Sequence, residues 1–168
     1  DDAVGCALAL QQGTWVEAVV ACCDSKLVLD TVRSWGHEAL ATSERCSSGS
    51  ERLASVVAEL VRAGGCSAAQ TLVINVQGDQ PTLDPGIVEQ MICEARCEDG
   101  WVPVITPVYP LGAGKLQDPN VVKVLRAADG RSITFSRSAV PPGRDVPAEQ
   151  WHEHTTYSGH VGIYGCRA

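Results

Sequence analysis

Leu72-Val73-Ile74-Asn75-Val76, followed at once by Gln77-Gly78-Asp79-Gln80-Pro81, is the stretch on which the fold turns. An apolar run of that length without alternation is a strand buried on both faces. The polar residues after it mark the strand's carboxyl end, where open α/β sheets bind their ligands. Asp79 offers a hard carboxylate oxygen of the kind Mg²⁺ takes alongside water and substrate phosphates. Gly78 lets a ligand come close to the backbone. The same residues also make an ordinary turn, with Gly-Asp at its centre and Pro opening the next element. Both readings stand at this point.

On either side, apolar runs of strand length alternate with helical stripes. Val4, Ala7, Leu8 and Leu10 fit a helix ending at Gly13. Ala18 to Cys22 reads as a strand, Leu27 to Trp35 as a helix closed by Gly36, and Glu38 to Thr42 as a short strand. Leu53, Val56, Val57, Leu60 and Val61 make a helical stripe stopped by Gly64-Gly65. Ile87 to Ala95 forms another helix behind Pro85, and Trp101 to Tyr109 reads as a strand. Strands and helices in alternation predict an α/β fold: a mostly parallel sheet covered on both faces, in three α/β/α layers. Beyond residue 110, Val121–Ala127 and Arg131–Ser136 flank Asp129-Gly130 and predict a β-hairpin excursion. A Pro- and Gly-rich loop and a last strand, His160 to Cys166, follow. With no internal repeat, residues 1–168 are expected to form a single domain.

A second group of polar residues opens the strongest helix. In Ser47-Ser48-Gly49-Ser50-Glu51-Arg52, Ser48 and Glu51 have the spacing of a capping box. Hydroxyls, a glycine and unpaired amides at a helix start also suit the polar edges or phosphates of a nucleotide. Arg52 could take an anionic group in bidentate fashion.

Four segments, in order, resemble one family, the 3-deoxy-manno-octulosonate (KDO) cytidylyltransferases or CMP-KDO synthetases. Ser48-Gly49-Ser50-Glu51-Arg52 resembles SGTER, and Val76 to Pro81 resembles VQGDEP. Val121-Val122-Lys123-Val124 with Phe135-Ser136-Arg137-Ser138-Ala139-Val140-Pro141 resembles VKVV…FSRAxIP. His160 to Arg167 resembles HLGIYGYR. The resemblance implies a nucleotide-diphospho-sugar-transferase-like domain that moves CMP from CTP to KDO with release of pyrophosphate, for lipopolysaccharide or a KDO-containing wall polysaccharide. It implies Mg²⁺ as cofactor on Asp79 and Gln77 between nucleotide and sugar. It also implies Ser48, Gly49 and Ser50 along the cytidine, and Arg52, Arg137, His160 and Tyr164 on the sugar side. A homodimer of the full-length protein is expected with it.

Departures accompany the matches. Gln80 stands for the family's Glu, Cys166 for its aromatic and Arg45 for an acidic residue. Nothing matches the family's N-terminal phosphate-gripping loop or its second metal-binding Asp, so the chain is expected to be a fragment, inactive by itself. A catalytically silent remnant, or a related CMP-acid-sugar synthetase, is the alternative.

The remaining features restrict partners. A net charge of −7 without a basic stretch argues against nucleic acid, and no apolar run reaches the ~18 residues of a membrane span. The N-terminus lacks the basic region of a signal peptide. A cytoplasmic location is expected, or an organellar one in a plant or alga. Eight cysteines without a CxxC pair are expected to be reduced, structural thiols. His152-Glu153-His154 lacks a zinc-protease pattern and is expected to be a solvated loop. Asp24 is expected to cap the helix after it.

Overall fold

The computed structural model describes residues 16–80, 82–97 and 100–168. The expected helix around Val4–Leu10, and Pro81, lie outside the described residues. In chain order the elements are β1 (Val20–Cys23), α1 (Lys26–Ser34), β2 (Glu38–Ala41), α2 (Gly49–Ala63), β3 (Leu72–Asn75) and α3 (Pro85–Ala95). Then come β4 (Arg96–Cys97), β5 (Gly100–Trp101), β6 (Val104–Ile105), β7 (Val108–Pro110), α4 (Ala113–Leu116), β8 (Lys123–Arg126) and β9 (Ser132–Ser136). The chain closes with α5 (Trp151–His154), β10 (Ser158–His160) and β11 (Tyr164–Arg167). The described residues fall into two compact units, one within 16–105 together with 163–168, the other within 106–162.

In the first unit, local chemistry sets the helix ends. Ser25 caps α1, its hydroxyl accepting the Val28 N–H at 3.4 Å. The helix stops in a Schellman motif, with Gly36 N–H on Arg33 O (2.9 Å) and His37 N–H on Val32 O (3.2 Å). The same pair of bonds ends α2 at Gly65 and Cys66. Both motifs need a left-handed residue, supplied by Gly36 (φ 83°) and Gly65 (φ 68°). The stripe read from the sequence puts Val56 inside, with Leu53, Val57, Leu60 and Val61 half-buried. α2 packs against β1 and β3. Val88, Met91, Ile92 and Ala95 turn the buried face of α3 inward.

The expectation of a mostly parallel sheet is corrected by the pairing. β1 and β2 are parallel, Val20 opposite Glu38. β3 pairs antiparallel with β11, Tyr164 opposite Asn75, and β11 pairs antiparallel with β6. Apolar content reports burial but not direction; β11 runs backwards because the chain returns from the second unit before entering it. The single strand expected over Trp101–Tyr109 is three pieces, β5, β6 and β7. Pro103 and Pro107 fall at the breaks and offer no N–H for a ladder.

The second unit is one antiparallel sheet in the order β7-β10-β8-β9. The expected hairpin is there: β8 and β9 pair from Lys123 opposite Ser136 to Arg126 opposite Ser132. A turn closes it, with Gly130 N–H on Ala127 O at 3.0 Å. The last strand expected from His160 to Cys166 is divided between β10 in this unit and β11 in the first. The core joins Leu111, Leu116, Ala139 and Tyr157, with Trp151 packed against them.

Candidate functional site

β3 delivers Gln77 and Asp79 into a turn in which the Gln80 N–H bonds to Gln77 O at 3.1 Å. The turn is there, its backbone satisfied locally, and it leaves the carboxylate outside. Asp79 is exposed and makes no hydrogen bond or ion pair to the described residues, while Gln77 is half-buried. Register sets Tyr164 opposite Asn75, two residues before Gln77. Tyr164 thus belongs to the same end of this sheet as Gln77 and Asp79.

The start of α2 is built by its side chains. Ser48 is the N-cap, its Oγ accepting the Glu51 N–H at 3.1 Å. Glu51 does not reach back to Ser48 as a symmetric capping box would. Its carboxylate takes the N–H and the hydroxyl of Ser47, at 2.7 and 2.6 Å. Those bonds, the hydroxyl's first, hold its pKa below the usual carboxylate range. Gly49 and Ser50 occupy the first helical turn, and their N–H groups make no hydrogen bond to the described residues. They are orphan donors at the positive end of the helix dipole.

Arg52 is occupied. Its Nη2 donates to Asp24 Oδ2 at 2.5 Å, and its Nη1 donates to Thr42 Oγ1. The pairing holds the Asp24 carboxyl below its ordinary value and raises the guanidinium's. Asp24 is therefore not the cap of α1, which is Ser25; a carboxylate one residue before the cap is free to turn towards the arginine. The clamp ties α2 to the carboxyl ends of β1 and β2. Beside it, burial pushes the Cys22 thiol up, which leaves that thiol protonated and unreactive at neutral pH.

In the second unit, His160 lies half-buried on β10. Its Nε2 is 2.8 Å from Thr106 Oγ1, and its ring meets Phe135 edge-on with centroids 5.1 Å apart. Burial pushes its pKa below 6.5, so the neutral imidazole prevails at pH 7. Arg137 follows β9, exposed, with Nη1 on Pro119 O at 2.9 Å. Lys123 is fully buried and donates to Asp118 O at 2.5 Å and to Arg137 O at 2.8 Å. Sequence reasoning gave Asp24, Thr42, Thr106 and Lys123 no site role. The Asp24-Ser25 pair was the one legible signal among them, because only one of two adjacent capping residues can cap.

Among the described residues, no three His, Cys, Asp or Glu side chains gather closely enough to hold a metal. Asp79 alone fits a cation whose remaining ligands are phosphates and water, the way Mg²⁺ is usually held. No described helix is long and apolar enough to cross a membrane.

A family model described as Cytidylyltransferase matches residues 6–168. The 3-deoxy-manno-octulosonate cytidylyltransferase of Pseudomonas fluorescens (strain Pf-5) is 37% identical over 157 residues, which cover 90% of this chain and 59% of that protein. Its counterpart in Legionella pneumophila (strain Lens) is 34% identical over 155 residues, covering 90% and 56%. The solved structure of a CMP:2-keto-3-deoxy-manno-octonic acid synthetase complexed with CTP is similar at a TM-score of 0.82 and 28% identity. That match covers 99% of this chain and 63% of the solved one, and it gives the fold as α/β and nucleotidyltransferase-like. The chain thus spans less than two thirds of the length of these relatives. Because the family model runs over nearly the whole chain, this protein belongs to the cytidylyltransferase family.

Proposed function

We propose that the protein carrying this chain transfers CMP from CTP to KDO and releases pyrophosphate. The observation that carries the reading is Asp79 on the turn after β3, exposed and without a partner among the described residues, in a chain of the cytidylyltransferase family. The relatives bear the name of this activity, and the similar solved structure is a complex with CTP.

Asp79 would hold Mg²⁺ together with phosphate oxygens of CTP. The ion, when bound, supplies charge neutralisation on the transferring phosphate. Gln77, half-buried at the strand end, keeps an amide between nucleotide and sugar with both donors and an acceptor to offer. The orphan N–H groups of Gly49 and Ser50, and the hydroxyl of Ser50, receive polar atoms of the cytidine nucleotide. Ser48 contributes through its cap, which fixes that turn. Arg52, already neutralised by Asp24, shapes this region and reaches an anion only by exchanging its carboxylate. Tyr164, His160 and Arg137 serve the acid sugar. Neutral His160 can donate to or accept from a hydroxyl, and Arg137 brings a permanent positive charge for the carboxylate.

The product would enter lipopolysaccharide or KDO-containing wall polysaccharide synthesis, from the cytoplasm. A homodimer is part of the proposal. Ile133 and Phe135 on the edge strand β9 are 63% and 45% exposed, apolar side chains that a second copy would cover.

The test is pyrophosphate release by the protein carrying this chain, with Mg²⁺ and each nucleotide and acid sugar in turn. CTP with KDO should give turnover well above every other pair. Equal rates with ATP or GTP, or a preference for sialic acid over KDO, would overturn the reading.

A further inference from the structure

Lys123 is 0% exposed, and among the described residues it forms no ion pair. Removing an ammonium from water is costly unless its donors are met. Here they meet backbone carbonyls, those of Asp118 and Arg137. An apolar side chain of similar length would fill the same space without the desolvation cost. The contribution of the charge therefore lies in what it holds.

It holds both supports of one guanidinium. The carbonyl of Arg137 is bonded to Lys123 directly, which fixes the backbone from which the arginine projects. The carbonyl of Asp118 is bonded too, and the next residue, Pro119, offers the carbonyl on which Arg137 Nη1 rests at 2.9 Å. A closed ring results, running from Lys123 Nζ to Asp118, Pro119, the Arg137 guanidinium, the Arg137 backbone and back. Register reinforces it, because Lys123 lies opposite Ser136, the neighbour of Arg137. The remaining guanidinium N–H groups make no hydrogen bond to the described residues, and the side chain is exposed.

We infer that Lys123 is a positioning residue that aims the free edge of the Arg137 guanidinium at the carboxylate of the acid-sugar substrate. The inference rests on the proposed function, which assigns Arg137 to that substrate. A planar fork gives a carboxylate two parallel bonds only if its direction is fixed. The 118–121 turn has its own bonds, Val121 N–H on Asp118 O at 3.2 Å and Asn120 N–H on Asp118 Oδ1 at 2.8 Å, and the Lys123 ammonium is the side chain that joins this turn to the Arg137 backbone.

The experiment is a double-mutant cycle on the protein carrying this chain, with Lys123→Met, Arg137→Ala and both together. Each single change should raise KM for KDO on the order of 10-fold or more, since small misplacements of a binding group are costly. KM for CTP should stay within about twofold, because uniform damage to the site is not expected. The double variant should be no worse than Arg137→Ala alone. Additive losses, or an equal rise in both KM values, would overturn the role of Lys123 while leaving that of Arg137 intact. An unchanged KM for KDO in Arg137→Ala would remove the substrate reading and the inference with it. Lys123→Gln keeps an uncharged N–H donor group on a shorter side chain and should show the same split at smaller size. If neither Lys123 variant folds, the residue serves the core, and the inference is wrong.

Discussion

Around Asp79 the chain leaves space. The carboxylate is exposed, and a Cβ built on Gly78 would meet nothing within 4 Å. Around Lys123 there is none. The ammonium is enclosed, and on the neighbouring strand β10 the Tyr109 ring covers Gly159 so closely that a Cβ there would lie 2.5 Å from Cζ. The first unit thus offers its candidate groups on a turn and a helix cap, whose geometry is local and whose open side can admit a ligand. The second sets its candidates by sheet packing. Mutations should separate the two regions by stability first and by chemistry second.

The largest stability effect should come from Lys123→Ala. It empties a fully enclosed site and takes the ammonium from the Arg137 carbonyl, while Asp118 O keeps the Val121 N–H, for a loss of about 2–5 kcal/mol read from denaturant midpoints. A loss under about 0.5 kcal/mol would mean that the enclosure is not tight. Gly159→Ala should follow, at about 1–3 kcal/mol, because the Tyr109 ring must leave its place over β10. Gly78→Ala is the counterpart in the first unit and should stay within about 0.5 kcal/mol. Equal losses at the two glycines would erase the contrast.

Acid should act on the two units in different windows. The folded pKa of His160 lies below 6.5, so the unfolded chain takes up the proton first. Stability of the second unit should therefore fall as pH drops from 6.5 towards that folded value. Asp24 in the first unit has a folded pKa below 3.8. Its contribution is whole above 3.8 and is lost as pH falls through the lower value. The Asp24 effect should be the smaller, since the Arg52–Asp24 pair is partly exposed and weakened by salt. Side-chain NMR titration of both residues checks the order; a His160 pKa above 6.5 would contradict it.

Much of this was legible in the sequence wherever one residue's own chemistry decides the outcome. β3 followed from an unbroken apolar run, the ends of α1 and α2 from glycines, and the start of α2 from Ser48. Strand direction was not legible, because Tyr164–Arg167 would read the same in either sense. Pro103 and Pro107 were visible breaks that the apolar run between Trp101 and Tyr109 concealed. Lys123 was beyond reach: a lysine between valines looks like an exposed strand position. Only the carbonyls of Asp118 and Arg137, 5 and 14 residues away, explain its burial. Asp24 was misjudged because its partner, Arg52, lies 28 residues on.

If the open turn after β3 does the chemistry, the exchange Asp79→Asn must all but abolish it. The exchange is isosteric at an exposed position, so thermal stability should not change. Magnesium-dependent release of pyrophosphate from CTP and KDO should fall by about 10²-fold or more, the usual scale for one lost electrostatic contact. A variant that keeps its rate within a few-fold of the parent at every Mg²⁺ concentration would show that Asp79 is no metal ligand, and the account of this site would fail.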